Sequence, residues 1–206
     1  MVTAEEKLNE STKKYAQQHS IRGWLDFLIY DPDGTLVAHR SQHMDSYVIA
    51  WIKILLVQLG SSETTTATDT GGTSRTLGVS ALAWGCNALI NDDTFGIVVG
   101  TGSSAVTLTD TRLGGKISHG TGVNQLSYAA VQFDQAVTVD PTTYFRVKRQ
   151  LTNNTTGSIT INEIGIYAKG NSSGHIFLTI RDIVSGGFIV SGSQTVEAFY
   201  TIPTTV

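Results

Sequence analysis

Apolar residues recur at three- and four-residue intervals over 46–59, the spacing that places them on one face of a helix. Gly60 follows directly and provides a C-terminal stop. The pattern therefore predicts a helix over 46–59. Further apolar residues widen its face: Ile49, Ile54 and Val57. We expect so broadly apolar a helix to be clasped by sheets or by a neighbouring copy of the chain.

Short runs rich in β-branched and aromatic residues fill most of the remaining chain, separated by Gly- and Asn-containing turns. Two of them, 21–30 and 35–38, would form a hairpin around the sequence Asp-Pro-Asp-Gly. The other predicted strands are 96–99, 105–109, 125–134, 143–153, 158–167, 175–182 and 194–202. Strands at this spacing predict a mainly β fold, an antiparallel β-sandwich or jelly-roll-like domain with one helix in the N-terminal half and an N-terminal arm.

Changes in composition divide the chain into four parts. Residues 61–75 are rich in Thr and Gly and predict a loop, because they contain little that could be buried. In the polar N-terminal arm, Leu8 and Tyr15 are too sparse to form a core-facing stripe. The predicted division is an arm (1–20), a hairpin-plus-helix module packing on the sandwich (21–60), the loop (61–75) and the β-sandwich (76–206).

The predicted strand 158–167 changes the parity of its apolar positions halfway. Ile159 and Ile161 share one parity, whereas Ile164 and Ile166 share the other. A β-bulge near residues 162–163 would let all four isoleucines face inward.

That bulge would bring Glu163 close to the interior, where a carboxylate must be paired or hydrogen-bonded. Arg149 or Arg181, on neighbouring predicted strands, could provide the partner. We therefore predict a structural polar network of Glu163, Arg149 and Arg181 and assign no catalytic residue.

Charge and cysteine content narrow the range of partners. The 206 residues carry a net charge of −3, and only 15% of them are charged, against about 25% in ordinary soluble domains. No basic field is available for nucleic acid, and the apolar run at 47–59 is too short to span a membrane. Cys86 is the only cysteine, which excludes an internal disulfide and fits folding in a reducing cytosol.

Candidate chemistry is sparse. His39 and His43 stand four residues apart without a third ligand of suitable spacing, so we predict no metal site. The sequence Gly-Thr-Gly at 100–102 lacks the third glycine and the following helix of a dinucleotide site. No serine lies in a Gly-x-Ser-x-Gly turn. We therefore expect no cofactor and no enzymatic activity.

Several segments resemble structural proteins of tailed viruses, of bacteria or archaea. They are GIVVGTG at 96–102, VTLTDTRL at 106–113, RQLTNNTTGSITINEIGIY at 149–167, IRDI at 180–183 and TVEAFYTI at 195–202. The resemblance covers about half the chain. It implies a non-catalytic virion protein of the head decoration, neck or tail type, made in the host cytoplasm and placed in the virion.

Such a protein would bind copies of itself, as a trimer or ring, and the major capsid or neck and tail proteins of its particle. Direct contact with nucleic acid or membrane is not expected. The candidate contact residues come from the arm and the helix region: Leu8, Tyr15, Tyr47, Ile49, Ile54 and Val57.

Two alternatives belong to other functional classes. A β-sandwich of a tail fibre could bind carbohydrate or a receptor, with Trp84 as the aromatic platform. A hydrolase on a β scaffold could use Glu163 or Asp182 as its acid, although neither has a locally paired second carboxylate.

Overall fold

The computed structural model describes residues 23–44, 46–58, 65–78, 84–139, 142–170 and 174–205. Within these residues it confirms a mainly β fold with antiparallel sheets and one helix. In chain order the elements are β1 (Gly23–Tyr30), β2 (Leu36–Met44), α1 (Ile49–Gln58), β3 (Thr65–Thr68), β4 (Ser74–Leu77), β5 (Trp84–Gly85), β6 (Gly96–Gly100), β7 (Ser127–Tyr128), β8 (Gln132–Phe133), β9 (Val137–Val139), β10 (Thr142–Thr152), β11 (Ile159–Gly170), β12 (Ile176–Val190) and β13 (Thr195–Thr205). The predicted arm, 1–20, lies outside the described residues.

Two sheets face each other across the core. The seven-stranded sheet has the order β2-β1-β13-β10-β7, with β8 and β9 also paired to β10. The four-stranded sheet has β11 between β12 on one side and β5 and β6 on the other. Alternate residues of β13, including Val196, Ala198 and Tyr200, are fully buried between the sheets. The rings of Phe27 and Phe188 meet across this core with centroids 4.7 Å apart.

The N-terminal hairpin belongs to the larger sheet. β1 pairs with β13 from Trp24 opposite Thr201 to Tyr30 opposite Thr195. The prediction that residues 21–60 form a module packing on the sandwich is thus wrong for the hairpin, which supplies two strands of the sheet itself. Its return strand is also longer than the predicted 35–38, because β2 pairs with β1 as far as Met44.

The predicted bulge between β11 and β12 is confirmed. Ile161 pairs with Phe188 and Glu163 pairs with Ile183, so residues 184–187 of β12 bulge opposite a single residue of β11. All four isoleucines of β11 are buried as a result. Strand β12 continues past the predicted end at residue 182 as far as Val190.

Helix α1 begins later than predicted because the residues before it extend the smaller sheet. Tyr47 forms a bridge with Ile180, and the amide of Arg181 donates to the carbonyl of Ser46 at 3.1 Å. Residues 46–48 thereby cover the outer edge of β12, which would otherwise expose unpaired backbone groups. The helix then packs on β12 and on β3.

Three stretches fold differently from prediction, two of them because an aspartate side chain closes a local turn. Within the predicted loop 61–75, β3 and β4 form a hairpin whose turn is closed by Asp69, which accepts from the amides of Gly71 and Thr73. The predicted strand 105–109 is a turn, since Asp110 accepts from the amide of Thr107 at 3.0 Å. The predicted strand 125–134 is broken into β7 and β8.

Within the described residues, no helix is long and apolar enough to cross a membrane.

Candidate functional site

Glu163, at the bulge of β11, has no exposed surface and is enclosed by hydrogen-bond donors. Oε1 accepts from the amides of Gly102 at 3.0 Å and Gly115 at 2.7 Å, and Oε2 accepts from the amide of Gly114 at 3.0 Å. The guanidinium of Arg181, on β12, donates to Oε2 at 2.9 Å. Both carboxylate oxygens are therefore satisfied, as burial of a charge requires.

Glycines make this close approach possible. A Cβ on Gly100 would lie 2.5 Å from Oε1 of Glu163, and one on Gly102 would lie still closer. Only residues without a side chain let the backbone surround the carboxylate at these positions. The glycine-rich sequence of 100–115 thus has a local structural reason.

Arg181 connects the carboxylate to the rest of the irregular segment 101–116. Its side chain is only 4% exposed; Nη1 donates to Oδ2 of Asp110 at 2.7 Å and Nη2 donates to the carbonyl of Ser104 at 3.1 Å. Asp110 in turn accepts from the hydroxyl of Thr107 at 2.7 Å. One arginine and two carboxylates therefore fix a segment that has little regular structure of its own.

The pKa directions agree with a mutually charged network. Burial lowers the pKa of Arg181, but hydrogen bonds to Asp110 and Glu163 outweigh that effect and leave it above its ordinary value. Burial raises the pKa of Asp110, but hydrogen bonds from Thr107 and Arg181 bring it below its ordinary value. Both groups are held in their charged forms.

Arg149, on β10, is the second buried arginine and does not contact Glu163. It is 1% exposed and donates five hydrogen bonds, all to backbone carbonyls. The acceptors are Leu89, Asp92, Phe95, Ile97 and Ala129, at 2.5 to 3.3 Å. Its guanidinium also lies 4.8 Å from the ring centroid of Tyr128. Of the two predicted partners, only Arg181 meets Glu163; Arg149 instead anchors residues 89–97 to the larger sheet.

The predicted contact residues differ in their exposure. Leu8 and Tyr15 lie outside the described residues. Ile54 and Val57 are buried in the core of their own chain, so they offer no surface to another copy. Ile49 is exposed at the start of α1.

The apolar face that α1 leaves uncovered was not identified from the sequence. Ile49, Ile52 and Leu56 lie at three- and four-residue spacing, and all three are exposed. Leu108 extends this face, because it is exposed and its carbonyl accepts from the amide of Ile49 at 3.0 Å. We call these four residues the helix face.

Tyr47 is half-buried beside the helix face and contacts Trp51, with ring centroids 5.3 Å apart. Its hydroxyl is buried and has no hydrogen-bond partner. Burial, with a smaller contribution from Asp182, raises the pKa of Tyr47 to about 12. Asp182, one of the two acids considered in the hydrolase alternative, is 2% exposed and accepts from the hydroxyl of Tyr200 at 3.1 Å, so it lies inside the core.

Other candidate residues have local partners. His39 and His43 lie on β2; Nε2 of His39 is 2.9 Å from Oδ1 of Asp26, and His43 packs against Trp24. Across the described ranges, no group of three or more His, Cys, Asp or Glu side chains is arranged to hold a metal ion. Trp84 is partly buried against Phe177, whereas Trp24 is exposed.

Sequence reasoning missed Asp110 and the three glycine amides that hold Glu163. The signal was present in the paired glycines at 114–115 and the glycine at 102, because successive amides without side chains commonly surround an anion. Comparisons with protein-family models, curated proteins and solved structures give no match to this chain.

Proposed function

We propose that this chain is a non-catalytic structural protein of a tailed virus particle, which assembles through protein–protein contacts as a capsid decoration, neck or tail component. The observation that carries the proposal is the helix face. A helix that buries one side in its own core and exposes three large aliphatic residues on the other has the form of a contact surface. The type of particle is inferred from the sequence resemblance to structural proteins of tailed viruses.

The two arginine networks support the same proposal. Residues 89–97 and 101–116 have little regular structure, yet their backbone is fixed to the sheets by buried side chains. A rigid backbone reduces the entropy lost when a surface is ordered in an assembly. The buried carboxylates of this region are occupied by donors, which leaves them poorly placed for acid-base chemistry on a substrate.

The helix face can be tested with two substitutions of equal exposure. Ile52 and Ile189 are each 58% exposed, but only Ile52 belongs to the helix face. Ile52→Lys should abolish self-association measured by sedimentation velocity over a concentration series, because a charge would be buried in the contact. Ile189→Lys should leave it unchanged. A wild-type chain that stays monomeric and does not bind the head shells or tails of its virus particle would refute the proposal.

The second candidate is carbohydrate or receptor binding by a tail fibre, and one observation favours it. A groove of about 300 Å³ on the outer face of the larger sheet is lined by Asp26, His39 and Arg146. Trp24 lies exposed on the same face of β1 as Asp26. Aromatic and polar side chains side by side suit sugars, and a glycan array without binders would remove this candidate.

A further inference from the structure

Leu89 and Ile90 are exposed side by side on one turn. They are 73% and 66% exposed, and in the part of the chain that the structure describes no other two consecutive large hydrophobic residues reach these values. Single exposed aliphatic residues are ordinary on a protein surface, but an adjacent pair on a turn forms a small apolar projection. We call these two residues the knob.

The turn that carries the knob is fixed to the larger sheet. The guanidinium of Arg149 donates to the carbonyls of Leu89 at 3.3 Å and Asp92 at 2.5 Å. The amide of Asn91 donates to the carbonyl of Tyr128 at 2.8 Å, and the amide of Asp92 donates back to the carbonyl of Leu89. A knob held in this way would lose little conformational entropy when it enters a partner.

An apolar pocket of matching size opens between α1 and the smaller sheet. Its volume is about 140 Å³, close to the roughly 150 Å³ of an engineered apolar cavity that binds benzene. Its wall includes Trp51, Leu55, Trp84, Ile166, Ala168 and Thr179. The hydroxyl of Thr179 already donates to the carbonyl of Ile166 at 2.9 Å, so it does not require a polar occupant. The pocket therefore suits one aliphatic side chain.

The pocket adjoins the helix face. Trp51 and Leu55 line the pocket, and the residues that follow each of them on α1, Ile52 and Leu56, belong to the helix face. Successive positions on a helix are about 100° apart, so the two pairs form neighbouring stripes. A partner seated in the pocket would therefore also cover the helix face.

The pocket and the knob-bearing segment 89–97 lie on opposite sides of β11. Ile166 and Ala168 line the pocket. Lys169, the alternate residue, faces the other side, where its ammonium lies 5.0 Å from the ring centroid of Phe95. A contact that joins knob and pocket would thus pair two different surfaces of the chain. Such a head-to-tail contact forms rings when its rotation closes.

We propose that the knob of one copy enters the pocket of a second copy, whose helix face packs around it. This inference rests on the assembly role proposed above. It specifies the partner of the helix face, another copy of this chain, and makes the contact head-to-tail.

Two variants disable the two sides of the contact separately. The double variant Leu89→Ser, Ile90→Ser removes the knob, and Ala168→Leu fills the pocket. Each should raise the dissociation constant for self-association at least about tenfold in sedimentation velocity, because a few buried anchors carry most of the binding energy of a contact. Val123→Ser is the matched control, since Val123 is 86% exposed on another turn, and it should associate like the wild type.

A mixture of the two variants tests the head-to-tail arrangement. The knob variant keeps an intact pocket, and the Ala168→Leu variant keeps an intact knob. An equimolar mixture should therefore form a dimer held by one contact and nothing larger. If Ala168→Leu does not fold, Ile52→Lys replaces it, because this exposed substitution disables the helix face beside the pocket and leaves the knob intact.

Unchanged association of the knob variant, or a mixture that stays monomeric, would overturn the inference. The assembly role would survive either result if Ile52→Lys still abolished self-association. A wild-type chain that stays monomeric would also overturn the inference, and binding to the head shells or tails of its virus particle would then decide the assembly role alone.

Discussion

Arg149 and Arg181 are both almost fully buried and both fix irregular segments, but their charges are compensated differently. Arg181 faces the carboxylates of Glu163 and Asp110, at 2.9 and 2.7 Å. Every described hydrogen bond of Arg149 ends on a backbone carbonyl, with the ring of Tyr128 on one side. A carboxylate cancels the charge of the guanidinium, whereas carbonyl dipoles only solvate it.

The pKa values of the two arginines reflect this difference. Burial lowers the pKa of Arg149, while the two carboxylates raise the pKa of Arg181 above its ordinary value. A buried guanidinium can therefore organise a loop with or without an ion pair. The two arrangements should respond differently to pH, because carbonyls do not titrate and carboxylates do.

The largest effect is expected from Arg149→Met, which keeps a long apolar side chain but removes the guanidinium from five carbonyls. We expect a loss of about 4 kcal/mol in the free energy of unfolding, because five hydrogen bonds from one buried side chain are lost together. Urea unfolding measures the loss. Arg146→Met, on the outer face of the same strand, is the matched control and should cost less than about 1 kcal/mol. Equal losses in the two variants would contradict the assigned role of Arg149.

A smaller and more localised effect is expected from Glu163→Gln. The NH₂ group of the glutamine would face the donors that now surround the carboxylate, so we expect the free energy of unfolding to fall by about 3 kcal/mol. Hydrogen exchange should accelerate at the amides of Gly102, Gly114 and Gly115. The amide of Val131, which donates to the carbonyl of Ala88 beside the segment that Arg149 holds, should stay protected.

The control for that variant is Glu197→Gln, on the outer face of β13, which should leave exchange unchanged. Uniform acceleration in both segments would show that the two networks open as one unit and would end the distinction between them.

The sequence predicted the centre of the Arg181 network but not its periphery. The parity change among the isoleucines of β11 indicated the bulge, and the bulge indicated that Glu163 is buried. Arg181 was a candidate because it lies on the neighbouring predicted strand. These inferences succeed because strand alternation is a strict geometric rule.

The partners of Arg149 could not be predicted, because backbone carbonyls occur at every residue and leave no residue-type signal. Asp110 was missed for a related reason: the apolar and β-branched residues around it favour a strand, while its own side chain closes a turn. The exposed side of α1 was ambiguous because the helix is apolar on nearly all sides, so periodicity could not separate the core face from the helix face.

The smallest effect, and the one that separates the two networks by chemistry, is the pH dependence of Asp110→Asn. The folded-state pKa of Asp110 lies below its ordinary value of 3.8, so folding stabilises the ionised form. That contribution is fully present above pH 3.8 and is lost as the pH falls through the lower folded-state pKa. We expect Asp110→Asn to lower the free energy of unfolding by about 1–2 kcal/mol at pH 7. The free energies of the variant and the wild type should converge as the pH falls.

Urea unfolding at pH 7 and at successive values below pH 3.8 measures this convergence. Arg149→Lys provides the comparison, because its acceptors do not titrate and only the nearby charges of Asp92 and Asp93 could alter its cost. The difference in unfolding free energy between Arg149→Lys and the wild type should therefore narrow less over this pH range than the difference for Asp110→Asn. If both differences closed equally, acid would be acting on the whole fold, and the carboxylates of the Arg181 network would have no separate part in it.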